Sequence, residues 1–456
     1  MTVGWAGMSQ LPRVAVGSVQ PGFDSQPILW ALLEVLRRRG LQVQSFLSRA
    51  WFAKYLEAGT VTGLNPRHLD SWIMSPEACR TIFRHGAELA DLALVEGEFS
   101  GINGTQSSGG TLECLCQWLD LPRLAVVDAT RISGCRLPDR PERIEGLLLD
   151  GVFDDRHLAQ VTTDLEALWG IPVLGALELR PSLRAAVAST LRGSRLPRVL
   201  LQELGSHFAR HWQAEHFDHV LGRREFPADT GQLFDTDPGG VKLTVAVAYD
   251  DAFNCYFPDT LELLESRGAT VIDFSPLRDE SLPPDTDIVY LGCGRPERYA
   301  AVLEENHCIK AALRSHLRRG NRVYAEGGGL AYLCQQLETP DGRLRRMVGV
   351  FPTTARLSRK PTPPVPVEVT LDRANWLGHA GARLRGYRNS SWLLEPADAL
   401  AGFVAEPDRR YDIVGTYQAV GSQLHLNFAA QPSFLHHFFY PHLPRPQVPD
   451  PWSVVC

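Results

Sequence analysis

What most constrains this chain is an alternation that runs through it twice, in which short apolar strands are separated by segments of helical periodicity. "RVAVGS" (13–18) is followed by "ILWALLEVLRRRG", whose apolar spacing is helical and which stops at Gly40, and then by "LQVQSF". "DLALVEG" (91–97), "RLAVVDA" (123–129), "IEGLLLDGV" (144–152) and "IPVLGAL" (171–177) continue the series. Strands this uniformly apolar cannot present either face to water, so the pattern predicts a parallel sheet covered by helices on both sides.

Between about 224 and 240 the periodicity gives way to "EFPADTGQLFDTDPGG", rich in Pro, Gly and Asp, and then the alternation restarts. The second series reads "KLTVAVAYD" (242–250), "TLELLESRG" (260–268), "TVIDFSPL" (270–277), "DIVYLGCG" (287–294), "IKAALRSHLRRG" (309–320) and "RVYAEGGG" (322–329). The predicted fold class is α/β with two doubly wound domains, 1–225 and 241–456, joined by a linker at 226–240. The last third, with "PVPVEVTL" and "DIVGTYQAVGSQLHLNF", reads as richer in strands.

A length of 456 residues suits two cores better than one. The net charge of −6 argues against a nucleic-acid partner. No stretch approaches the roughly 18 apolar residues of a membrane span, and the opening "MTVGWAGMSQLPRVAVG" has no basic region leading into an apolar run. The expectation is a cytoplasmic protein without a membrane partner. Nine scattered cysteines show no zinc spacing and read as buried, reduced thiols on helices. Arg37, Arg38 and Arg39 end a helix, where their charge complements its dipole.

One local feature raises a question of chemistry. "VYAEGGGLAYL" (323–333) reads as a buried strand, a tight turn and the start of a helix, a geometry that mounts nucleophiles, yet Gly327 stands at its point.

Together with "VAVAYDDAFNCYFPDTLELLESRGATVIDFSPLRDESLP", "YLGCGRPE" and "LHLNFAAQP", that stretch resembles the cobyrinate a,c-diamide synthases. "LRRRGLQVQSF", "HLDSW", "LALVEG" and "LAVVDA" extend the resemblance into the first half in the same order. The resemblance implies a P-loop NTPase-like, dethiobiotin-synthetase-like amidoligase domain followed by a class I glutamine amidotransferase-like, flavodoxin-like domain. It implies glutamine hydrolysis by a cysteine and a histidine, with ATP and Mg as cofactors of a tetrapyrrole carboxylate amidation in cobalamin biosynthesis.

Residue by residue, the match is incomplete. Gly327 stands at the nucleophile position and His425 at that of the base. Cys293, in the loop that matches a glycine-rich segment bordering the glutamine pocket, is the best-placed alternative thiol, and Cys334 falls a turn or more into the following helix. Gly292, Gly294 and Glu326 are the neighbouring candidates for ligand binding. In "PGFDSQP" (21–27) Gly22 is kept, Asp24 replaces a glycine, and Ser25 stands at the lysine position. An aspartate there repels phosphate, and Pro27 removes an amide donor from the helix start. Glu96 and Asp128 remain at strand ends as ligand candidates. Other acidic residues of the family are missing from "LSRAWFAKYLEAG" and "EGEFSGINGT", and "GYRNSSW" (386–392) lacks a glutamate and two histidines. Two independent losses predict a pseudoenzyme of this family that works by binding a tetrapyrrole or other ligand, or as a homodimer or partner subunit. The active ATP-dependent amidating enzyme, a carbon-nitrogen ligase fed by glutamine or ammonia, is the alternative.

Overall fold

The computed structural model describes residues 11–48, 61–99, 110–132, 137–191, 196–222, 231–236, 240, 242–360, 364–395, 400–415 and 418–440. The chain divides into two compact units, the first ending at Gly231 and the second beginning at Gln232. Residues 223–230 and 237–239 of the expected linker region lie outside the described residues.

The first unit is built on β1 (Arg13–Ser18), β2 (Val43–Leu47), β3 (Arg67–His68), β4 (Leu92–Glu98), β5 (Arg123–Asp128), β6 (Gly146–Val152) and β7 (Val173–Glu178). They form one sheet in the order β3-β2-β4-β1-β5-β6-β7, and every pairing is parallel. All residues of β1, β2, β5 and β6 are buried, the physical outcome of covering both faces with helices. The sequence pattern located six of these strands and missed β3, whose two residues carry no periodicity. In this order β1 lies between β4 and β5, which gathers the ends of all three on one edge of the sheet.

The helix Gln26–Arg38 buries Ile28 to Leu36 against the unit's core. The basic run at its end is held by side chains as well as by the dipole. Arg37 and Arg38 clamp the buried Glu34 at 2.8 and 2.9 Å, and Arg39 reaches Asp218 at 2.7 Å. Gly205, on the helix Arg198–Ala209, lets this pair approach, since a Cβ there would come within 2.6 Å of the Glu34 side chain.

The second unit has a seven-stranded sheet. Its spatial order is Thr270–Phe274, Thr244–Ala248, Ile288–Leu291, Arg322–Glu326, Ala419–Ser422, Ile413–Gly415 and Ala401–Gly402. The first five run parallel, and the last two pairings are antiparallel, so that Ile413–Gly415 alone in this sheet runs against the others. Beyond the helix Gly328–Leu333 two smaller sheets follow, one built on Cys334–Glu338 and Phe351–Leu357, the other on Val365–Thr370 and Arg383–Arg388. This is the strand-rich last third that composition predicts.

Cysteine placement corrects the sequence expectation in part. Cys79, Cys114 and Cys116 lie on helices, but the buried Cys255, Cys293 and Cys334 lie on strands. Cys334 opens a strand because the helix before it stops at Leu333 after only six residues. Among the described residues no helix is long and apolar enough to cross a membrane.

Candidate functional site

In the second unit three strand ends converge. Arg322–Glu326 runs into Gly327, which has φ +48° and ψ −106°, and the helix Gly328–Leu333 starts immediately after it. Only glycine takes such a backbone without strain. Next in the sheet, Ile288–Leu291 ends at Gly292, and Cys293–Gly294 then pairs antiparallel with Phe253–Cys255, setting Cys293 opposite Cys255. The third contributor is Leu424–His425, which pairs with Arg383–Arg388 so that His425 faces Tyr387.

Glu326 organises the cluster. Its Oε1 accepts from the Tyr324 hydroxyl at 2.6 Å and from the Leu426 amide at 3.1 Å. Its Oε2 accepts from the Tyr290 hydroxyl at 3.2 Å and lies 2.6 Å from His425 Nδ1. Burial and the neighbouring Glu326 charge push both phenols well above their usual range, which keeps them protonated as donors. The His425 ring stacks on Phe257, with centroids 4.0 Å apart and planes at 14°. Glu326 and His425 are both 0 % exposed and Cys293 is 1 % exposed.

A side chain on residue 327 would meet two neighbours closely. A Cβ at Gly327 would stand 2.8 Å from Asn389 Nδ2 and 3.0 Å from Cys293 Sγ. The thiol of Cys293 thus sits beside the point of the turn, and burial, with the charge of Glu326, pushes it well above the usual thiol range. Asn389 belongs to "GYRNSSW", so the departure noted there in the sequence backs onto the same turn. Gly292 and Gly294, candidate ligand-binding residues, have a packing explanation. A Cβ would fall 2.3 Å from the Tyr256 ring at Gly292 and 2.0 Å from the Ala252 carbonyl oxygen at Gly294.

In the first unit the stretch 21–27 leads into the helix Gln26–Arg38. Gly22 has φ +69°, and Ser25 precedes the helix without a side-chain capping bond. Asp24 instead accepts the Gln26 amide at 3.2 Å, so a carboxylate of the chain itself takes a helix-start donor that would otherwise serve an anion. Gln20 ties down the loop from the other side, donating to the Asp128 carbonyl and accepting the Asp128 amide at 2.6 Å. Asp128 accepts from the Thr130 amide and hydroxyl at 3.0 and 2.6 Å and pairs with Arg131 at 2.9 Å. Its oxygens serve the turn that follows β5. Glu96 lies partly exposed near the end of β4, in register with Val16 and Leu47. Residues 49–60 and 100–109, where two of the sequence departures fall, lie outside the described residues.

Beside Asp128 lies Asp150, fully buried and bonded to Arg184. Burial pushes its carboxyl up to about 7; Arg184 pulls it down, while Asp128 and Asp24 push it further up. Three carboxylates, Asp24 beyond β1, Asp128 on β5 and Asp150 on β6, therefore lie near one another. The consequence for stability has a definite sign. An aspartate of the unfolded chain titrates near 4, so between about pH 4 and 7 the folded state binds the extra proton and stability falls as pH rises. Going from pH 5 to pH 8 should cost the wild type roughly 2–4 kcal/mol more than Asp150→Asn. Urea denaturation of both proteins at the two pH values measures this, and a difference independent of pH contradicts it.

The strand–turn–helix, the glutamate–histidine pair beneath it and the glycine-rich loop beside it define a glutamine-amidotransferase type of domain. A CobB/CobQ-like glutamine amidotransferase domain model matches residues 244–432. The cobyrinate a,c-diamide synthase of Synechocystis sp. is 30% identical over 454 residues, covering 93% of this chain and 92% of its own. That of Syntrophotalea carbinolica is 29% identical over 422 residues, covering 85% and 87%. The chain belongs to the cobyrinate a,c-diamide synthase family. A crystal structure of a glutamine amidotransferase superposes with a TM-score of 0.34 at 14% identity, covering 43% of this chain and 97% of that one.

Sequence reasoning found Gly327 and His425 and the neighbourhood of Cys293. It missed Asn389, and it did not foresee that Glu326 is the hub. The available signal was register, since Tyr290 and Tyr324 pair directly in neighbouring strands and both point a hydroxyl at Glu326.

Proposed function

We propose that this protein is a catalytically silent member of its family, which keeps the amidotransferase fold to bind a ligand or a protein partner and hydrolyses no glutamine through residue 327. One observation carries the reading: Cys293 Sγ and Asn389 Nδ2 stand within 3.0 Å of where a Cβ on Gly327 would be. A side chain at 327 would have to displace both neighbours, which supports a turn adapted to glycine. Asp24 on the helix start, with Asp128 and Asp150 beside it, supports the same reading for ATP. The ligand class suggested by the relatives' substrate is a tetrapyrrole carboxylate, and a homodimer or partner complex in the cytoplasm belongs to the same proposal.

A second reading is favoured by one specific fact, the 30% identity to a curated synthase across 93% of the chain. In that reading the protein amidates cobyrinate or a related tetrapyrrole with ATP, using residues other than those of its relatives. The experiment incubates the purified protein with glutamine, ATP, Mg and cobyrinate and assays glutamate, ADP and the amide. The expected result is none of the three above background. Turnover that disappears in His425→Ala overturns the proposal in favour of the second reading. An absorbance spectrum of protein purified from its native cells reports a retained pigment.

A test of the nucleotide side is independent of glutamine. Asp24→Gly with Ser25→Lys restores the two loop residues most directly opposed to phosphate, but leaves Asp128 and Asp150 in place. ATP affinity is expected to stay weaker than about 1 mM in wild type and to improve by no more than roughly tenfold, about 1.4 kcal/mol, in the variant. Equilibrium dialysis with labelled ATP measures both, and micromolar binding by the wild type contradicts the account.

A further inference from the structure

The residues beneath Gly327 form a group that goes beyond the loss of a nucleophile. Cys293, Glu326 and His425 each direct one donor atom into the same spot, and these atoms lie within 4.8 Å of one another. Each comes from a strand of a different sheet, so the convergence is a product of tertiary packing and not of sequence adjacency. All three are buried.

We propose that Cys293, Glu326 and His425 constitute a binding site for a single divalent transition-metal cation of the zinc class. The donor set decides the class of metal. One sulfur, one imidazole nitrogen and one carboxylate oxygen suit zinc and its neighbours, whereas magnesium and calcium take six or more oxygens. Geometry is compatible. Zinc bonds of about 2.0 Å to nitrogen and oxygen and 2.3 Å to sulfur set tetrahedral ligand edges of about 3.3–3.5 Å. The Nδ1 to Oε2 edge of 2.6 Å opens by less than an ångström, and the edges to Sγ, none longer than 4.8 Å, shorten by up to about 1.3 Å. Three protein ligands with one further position is a recurrent zinc arrangement.

The surroundings are those of a supported site. Glu326 is oriented by the Tyr324 hydroxyl and the Leu426 amide on Oε1 and by the Tyr290 hydroxyl on Oε2, and the His425 ring is fixed by its stack on Phe257. Gly327 matters here as well, because a side chain at that position would stand against Sγ. Sulfur binds as thiolate, so the Cys293 proton leaves to solvent as the metal enters.

The test uses the full-length protein, stripped with a chelator and titrated with Co2+ alone. The expected result is one equivalent bound, with a thiolate-to-cobalt charge-transfer band and visible bands of tetrahedral intensity, both removed by Zn2+. Cys293→Ser should abolish the charge-transfer band and weaken binding by tenfold or more, whereas Cys308→Ser, at an exposed thiol, should change neither. Absence of the band in the wild type, or its persistence in Cys293→Ser, overturns the site. Should Cys293→Ser not fold, X-ray absorption of the zinc-loaded wild type decides: one sulfur at about 2.3 Å with nitrogen and oxygen at about 2.0 Å supports the site, and a shell without sulfur refutes it. Glutamine turnover bears on the preceding proposal only, so the two can fail separately.

Discussion

Glu326→Ala should lower the stability of the second unit by about 3–5 kcal/mol, the largest effect expected of any single substitution in the cluster. The carboxylate is 0 % exposed and engages four groups, which are the Tyr290 and Tyr324 hydroxyls, the Leu426 amide and His425 Nδ1. Truncation leaves them in a dry interior, where each donor stripped of its acceptor costs about 1–3 kcal/mol. Partial repacking and water entry keep the sum below the simple total. Glu326→Gln separates charge from shape. It keeps an oxygen for Tyr324 and Leu426 but turns an NH2 toward Tyr290 and His425, so about 1–3 kcal/mol is expected. Chemical denaturation followed by far-ultraviolet circular dichroism measures both. Near-equal losses for Ala and Gln would mean that the negative charge, and not the hydrogen-bond set, holds the cluster together.

Gly327→Cys should destabilise the protein by about 1–3 kcal/mol and should not by itself start glutamine hydrolysis. Most of the cost is backbone strain, because φ +48° with ψ −106° is a conformation that residues with a Cβ adopt only under constraint. The rest comes from Asn389 Nδ2 at 2.8 Å and Cys293 Sγ at 3.0 Å, both of which must give way. Cys293→Gly in the same chain removes the second obstacle. The double variant should therefore be more stable than the two single losses predict by about 0.5–2 kcal/mol, a coupling that a double-mutant cycle reads directly. Additive losses would show that the two positions do not compete for the same volume. Glutamate production by Gly327→Cys alone would show that an intact pocket had lacked only its thiol.

How far the residues announced this outcome differs from element to element. β1, β5 and β6 were plain because burial on both faces forces an unbroken apolar run, which no other element of that length requires. β3 was hidden because Arg67 and His68 are two polar residues given strand geometry only by pairing with Phe46 and Leu47. Gly327 was found because a strand–turn–helix is local. Asp24 was read as repelling phosphate; the structure adds that its carboxylate already occupies a helix-start amide. Asp128 kept its strand-end position, but its oxygens are committed to Thr130 and Arg131, a use no spacing reveals.

Two α/β series, the order of their strands along the chain, the family resemblance and the glycine at residue 327 are all legible in the residues alone. Those follow from periodicity and from side chains present or missing at single positions, and both are properties of short stretches. It takes the folded chain to set Cys293 Sγ beside Gly327 and to bring His425, 99 residues beyond Glu326, to within 2.6 Å of its carboxylate. Cys293, Glu326 and His425 lie on strands of three different sheets, which meet by packing and not through proximity in the chain. A cluster of that kind exists only once the sheets have packed together.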